Sequence, residues 1–523
     1  MIQKIFISST CTILFIALAL FTRKSFAQLP QVDTWDHVIV KESAILKETD
    51  KRYDQVVHLE PFFYTLNNKN MKHSIEKYDA DMNWVAEVSF KRSEFLLGAD
   101  LKVLNGELYY VDSENDYKKK TSTISFLKIN KETLLPEGEP LLLVDKKFDS
   151  KSHFRSSKYS VVYNDEKDLI GLMTFEKNAG SATEFKFSVY NHNFEVVNTL
   201  NAQIPNVDSQ GQIHYLRLVD ENKVVFGYHR YPFSSDKDKH AYGIGSVSQN
   251  GLDFLHDFTG KYSLIYPEHV QLSNEGDLIV IEHYWDDPQE QYSGIYFLKL
   301  DGVSGAVLHE TVAPFSREFL KFAESESRKE LVDERLDDGK YPGYFSESFI
   351  AKHQFDDNST LVLLNHTARS ESYVVGSRNQ FGVQNTMSSS FEYNAHLWYF
   401  NDKGDLLWAT KIPRFTEGGW YQNGLFSFVF NDDAYVIFMD APENIRSFGD
   451  ETPAFLDDIR NAKYISMVKV NKDGTLERKA LYQPDEEDLS ARITLANQFE
   501  ENKIVLPMKT KNRRQLKLIE FDF

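Results

Sequence analysis

Cysteine is nearly missing from this sequence. Of 523 residues only Cys11 is one, and it lies in a stretch read as a removable leader. A mature chain without cysteine has no disulfide framework and no thiol chemistry. Basic charge is also short: 59 Lys and Arg face 78 Asp and Glu, a net of −19. Removing residues 1–27 takes away Lys4, Arg23 and Lys24 and no acid, so −19 becomes −22. Such a balance excludes nucleic acid and anionic membrane as expected partners. Long apolar runs are confined to Ile5–Phe21, preceded by Lys4 and followed by Ser25-Phe26-Ala27 before Gln28. The polar stretch Ser8 to Cys11 leaves a short apolar centre, as in a cleaved signal peptide. The expectation is a leader over 1–27, one domain over 28–523 and no membrane span after cleavage. A cysteine-free exported chain fits a bacterial periplasm or cell surface.

Motifs that would fix a reaction are missing too. There is no G-x-S-x-G elbow, since Gly243-Ile244-Gly245-Ser246 and Gly343-Tyr344-Phe345-Ser346 have the wrong spacing. No HExxH, no Asp-x-Asp-x-Asp-Gly loop and no phosphate-cradling glycine run before a helix occurs. No metal and no cofactor is expected. Two carboxylates such as Asp286 and Asp440 could serve a glycosidase, but 78 acids allow many such pairs.

What the chain has is aromatic residues and a repeat. It holds 39 Phe and 27 Tyr, types that favour pleated surfaces. The stretch Asp277–Asp287, DLIVIEHYWDD, follows the turn Ser273-Asn274-Glu275-Gly276. Similar apolar runs follow Pro61, Asn105-Gly106, Asn164-Asp165, Glu221-Asn222, Asp356-Asp357-Asn358, Asn431-Asp432-Asp433 and Glu501-Asn502. That makes eight units about 55 residues apart, near the range of propellers and arrays. After each run comes a more alternating hairpin, such as IYFLKLDGVSGAVLHE or LWYFNDKGDLLWATKI. Asp301-Gly302, Lys403-Gly404 and Asp473-Gly474 are placed to supply positive φ at such corners. Four strands per unit, the second apolar on both faces, suit sheets sandwiched between neighbours.

In this pattern the chain resembles the β-propeller superfamily, and Asn401 to Trp408, NDKGDLLW, is similar to the Gly-then-Trp hairpin of quinoprotein-type blades. The resemblance implies an all-β ring of four-stranded antiparallel blades, eight as first choice and seven as second. The last unit lacks a fourth strand, and Trp35–Val40 is placed to supply it and close the ring. An outer-membrane barrel would need lipid-facing and lumen-facing residues to alternate, whereas LIGLMTF and YVIFM are apolar throughout. Two unrelated β domains are the remaining alternative.

Three insertions stand out. Ser316–Leu336 reads as one helix capped by Ser316, with Phe319, Leu320, Phe322, Ala323, Leu331, Val332 and Leu336 leaning to one side. Residues 367–391 and 441–462 form long polar loops. In a propeller the tips of the second strands share one face with the blade-joining loops. That face would carry His229, Arg230, His283, Trp285, Asp286, His366 and Arg369, the candidate ligand-binding residues, with Asp440, Lys509 and Lys511 nearby. Aromatic groups beside His, Arg and Asp are the usual makings of a pocket. The expected function is an exported, monomeric, non-catalytic propeller that binds a protein or glycan of the cell envelope through this face. The alternative is a propeller hydrolase or lyase acting on carbohydrate or peptide.

Overall fold

A computed structural model describes residues 33–523 except 36, 44–51, 70–71, 82, 92–95, 151–157, 177–182, 205–211, 231–240, 259–262, 265–269, 286–291, 341, 345–346, 370–372, 375–385, 388–389, 419–423, 447–450, 457–463, 485–487 and 511–515. The expected leader over 1–27 lies outside them.

The chain forms eight antiparallel, essentially four-stranded sheets in a ring. The first blade runs Arg52–Leu59, Phe62–Lys69, Lys72–Tyr78 and Trp84–Lys91. The sixth runs Glu347–Gln354, Thr360–Arg369, Ser390–Phe400 and Leu406–Ile412, and the seventh Phe426–Phe430, Asp433–Asp440, Tyr464–Val470 and Leu476–Tyr482. All eight turn-led runs become second strands. Val224–Tyr228, Leu278–Tyr284 and Ala434–Asp440 are buried without interruption. Their side chains alternate between two neighbouring blades, which is why the sequence shows no polar face there.

The ring closes across the termini. Ile39–Glu42 pairs antiparallel with Leu516–Asp522 as the outermost strand of the eighth blade. The expected segment is right but its register is later. Trp35 does not join the strand. It is buried, donates Nε1–H to Met467 O at 3.3 Å, and takes its backbone contact from Ala480 of the seventh blade. The terminus thus staples two blades before pairing.

The hairpins between third and fourth strands in the second, third, fifth and sixth blades share one device. A leading Asn or Asp accepts backbone N–H bonds through its side chain: Asn130 from Glu132 and Thr133, Asn191 from Asn193 and Glu195, Asp301 from Val303 and Ser304, Asn401 from Lys403 and Asp405. Three or four residues on, Leu134, Phe194, Gly305 or Gly404 adopts positive φ, and Gly474 does so in the seventh-blade hairpin. In the fifth blade this is Gly305 rather than the expected Gly302. This residue leans on the preceding blade. Leu134 and Phe194 fill the gap themselves, Phe194 lying 5.0 Å from the Phe126 ring. Where glycine stands there, the preceding blade supplies a ring. An added Cβ would fall 2.3 Å from Phe254 at Gly305, 2.2 Å from Phe297 at Gly404 and 3.1 Å from Trp408 at Gly474. Trp408 also donates Nε1–H to Lys472 O at 2.8 Å. Close packing of this kind fixes the rotation between blades.

Among the described residues, helices are few. The insertion expected as one helix is two: α1 (Arg317–Lys321) and α2 (Glu326–Asp337). Ser316 caps α1 as expected, but Ala323 takes a φ of 55° and Ser325 caps α2. The break lets Phe319, Leu320, Ala323 and Val332 all bury, while Leu331 stays 40% exposed. A third short helix, α3 (Pro442–Arg446), follows the second strand of the seventh blade.

Candidate binding face

Strand direction puts the joins between blades and the second-to-third connections on one face. The helical insertion, the linker after Ile412 and the segment around α3 all leave the ring there. In the sixth blade the second and third strands overrun the sheet, and Thr416–Gly418 pairs with Ser390–Glu392. Leu456 then bridges to Thr416 and donates its N–H to Phe415 O at 2.9 Å. The insertions are therefore woven into one cap over the sixth and seventh blades.

A buried polar network holds that cap. Lys411, whose side chain is fully buried, pairs with Glu324 at 2.8 Å and donates to Phe322 O at 3.0 Å. Asn394 donates to Ala323 O at 3.0 Å and accepts from Arg414 N at 3.1 Å. Thr452 reaches Glu324 O at 2.9 Å, joining the α3 segment to the helical insertion. Arg414 pairs with buried Glu392. Arg478 donates to Pro413 O at 2.8 Å and pairs with Asp440 through Nε at 2.9 Å and through Nη2. Asp440 further accepts from Ser466 Oγ at 2.6 Å and Asn444 Nδ2 at 3.0 Å, while Asn444 Oδ1 accepts from Ala454 N at 2.6 Å. Three cations meet three carboxylates, so the buried charge is balanced.

Above the network lies a ladder of rings. Phe455, Phe415, Tyr393 and His366 follow one another with centroids 4.5, 4.9 and 5.0 Å apart. Phe455 at the outer end is 44% exposed, and Phe391 flanks it at 6.4 Å. At the inner end His366 meets Tyr344 and His396. A separate groove of about 270 Å³ runs between α1 and the outer strands, with Phe319, Phe322 and Trp398 in its walls.

The residues expected from the sequence divide in two. His283 and His366 belong to described packing. His283 stacks on Tyr292 at 4.5 Å and touches Phe349 at 4.7 Å, which wedges it between the fifth and sixth blades. His229, Arg230, Trp285 and Arg369 are the last residues of their second strands, with side chains outside the described set, and Asp286 lies outside it altogether. No group of three or more metal-ligating side chains occurs among the described residues. Lys411, Arg414, Arg478 and the Phe391–Phe415–Phe455 cluster were not foreseen. The only advance signal was basic residues within or just after apolar strand runs, in ATKIPRF and LERKAL.

No protein-family model matches this sequence, and no curated protein does. Solved structures do match distantly, among them propeller domains of WD40 and peptidase type. The WD40 domain of SCAP from fission yeast is 9% identical over 92% of this chain and 98% of that one, with a TM-score of 0.37. The β-propeller domain of the Trilobed protease from Pyrococcus furiosus is 9% identical over 82% and 96%, with a TM-score of 0.34. Prolyl oligopeptidase B from Galerina marginata is 8% identical over 74% of this chain and 47% of its own, with a TM-score of 0.36.

Proposed function

We propose that this β-propeller is an exported, non-catalytic binding protein that engages a protein or glycan of the cell envelope through its capped face. The observation that carries this reading is the cap itself. Insertions from three different connections are tied to the sheets by Lys411–Glu324, Arg414–Glu392 and the Arg478–Pro413 bond, and to one another by Thr452 on Glu324 O. Burying ion pairs costs desolvation that Coulomb attraction barely returns, so such an anchor points to a role in holding a surface in one shape. Loops held rigid on a scaffold are where binding usually resides. The surface so held presents Phe391, Phe415 and Phe455, rings that lose little side-chain entropy when a partner covers them.

The test is a screen of the purified protein against glycan arrays and isolated envelope proteins, run beside a Phe391→Ser/Phe455→Ser variant. The expected result is a ligand bound by the parent and lost by the variant at an unchanged melting temperature. Equal binding by both would move the working surface elsewhere.

A further inference from the structure

Exposed apolar side chains are not scattered among the described residues. Among the described residues, 13 of the 16 exposed large hydrophobics sit at the start of an outermost strand or in the hairpin leading to it. Six of the eight blades repeat the feature. Leu141–Leu142, Val196–Val197 and Val307–Leu308 are each the first two residues of their strand and 41–58% exposed. All lie on the rim of the face opposite the cap, because third-to-fourth hairpins and first-to-second turns share that side. Patterned exposure of this kind marks a contact surface.

The same face holds the charge. Its eight first-to-second turns and seven hairpins contain 21 Asp and Glu against four Lys, a net of −17. Without the expected leader the chain carries −22, so these connections hold most of the net charge, partly offset by the strand lysines Lys77, Lys128 and Lys299 that pair with Glu132, Glu137, Glu275 and Asp277. Turn chemistry accounts for leading residues such as Asp301, but not for Glu139, Glu166, Asp356, Asp402 and Glu501, for which no side-chain bond is observed among the described residues.

We propose that this acidic, apolar-rimmed face is a second interaction surface, and that its partner is a protein presenting basic and apolar side chains together. A second copy of the chain would bring two faces of like charge into contact. An anionic bilayer or a nucleic acid would meet the same repulsion. A basic amphipathic surface gains from steering at long range and from apolar burial at the rim. This surface is independent of the cap.

The probe is a Lys/Leu amphipathic helical peptide, titrated against the full chain. One variant changes the rim, Leu141→Ser/Leu142→Ser/Val196→Thr/Val197→Thr/Val307→Thr/Leu308→Ser. A second changes the turns, Glu139→Gln/Glu166→Gln/Asp356→Asn/Asp402→Asn/Glu501→Gln. A melting curve checks that each folds. The expected result is binding weakened about tenfold or more by either variant, with salt sensitivity reduced only in the second. The Phe391→Ser/Phe455→Ser variant should bind the peptide like the parent. Binding by the rim variant within twofold of the parent overturns the proposal. So does a dimer in sedimentation that the rim variant abolishes, or rim-dependent binding to phosphatidylcholine vesicles without peptide binding.

Discussion

Asp440→Ala removes the hub of the seventh blade. Asp440 accepts two bonds from Arg478, one from Ser466 and one from Asn444, and is 1% exposed. The substitution leaves the fully buried Arg478 guanidinium without its carboxylate, though still bonded to Pro413 O. An uncompensated buried charge of this kind costs about 3–5 kcal/mol. Unfolding entropy near 2.1 cal/mol/K per residue, over about 490 residues, gives roughly 1 kcal/mol per degree. The melting temperature should therefore fall by about 3–5 °C. The paired replacement Asp440→Leu/Arg478→Met should recover most of that loss, because an apolar pair of similar volume removes both the charge and its partner. Differential scanning calorimetry of parent, single and double variants at one scan rate measures it. A single variant within a degree of the parent, or a double variant worse than the single, would refute the hub.

Burial pushes the His353 imidazole down to about 4, and its Nε2 bonds Ser427 Oγ at 2.7 Å between the sixth and seventh blades. The unfolded chain takes up the proton near pH 6.5 while the fold resists until about 4, so stability falls as pH drops through that window, by about 2 kcal/mol at pH 5. His353→Gln should lose less melting temperature than the parent between pH 7 and pH 5, and equal losses would contradict the assignment. Trp408→Ala, which empties the slot over Gly474, should cost about 2–3 kcal/mol, read as a melting shift. Deleting residues through Glu42 opens the edge of Leu516–Asp522, so light scattering should show association; a monomer melting like the parent would show that the terminal strand is dispensable.

The ring was legible because its second strands bury both faces and its turns need Asn, Asp or Gly. Those are local demands, and Asn105, Asn164 and Asn431 announce them without knowledge of the fold. Ring closure was legible as a missing strand, but not the insertion of Trp35, which depends on a gap between two blades. Of the three glycine-backed gaps only the one over Gly474 takes a Trp, because Phe254 and Phe297 fill the equivalent gaps over Gly305 and Gly404. Packing asks only for a ring there. The helix break at Ala323 was hidden because Phe319, Leu320 and Ala323 keep helical spacing, and Ser325, the cap of the second helix, reads alone as an ordinary surface serine. The cap anchor was hidden for another reason. Lys411 and Glu324 are 87 residues apart, and Arg478 and Asp440 are 38 apart. Each reads alone as a surface charge, and nothing short of the assembled fold pairs them.

On the proposed reading the woven cap is the ligand-bearing surface of this propeller. Hydrogen exchange followed by mass spectrometry, on the free protein and on its complex with whatever ligand the screen returns, tests it most directly. The expected result is slowed exchange in 317–337, 391–418 and 441–456, with the first-to-second turns and the outer hairpins unchanged. Protection confined to those turns, or to the first strands around the axis, would contradict it.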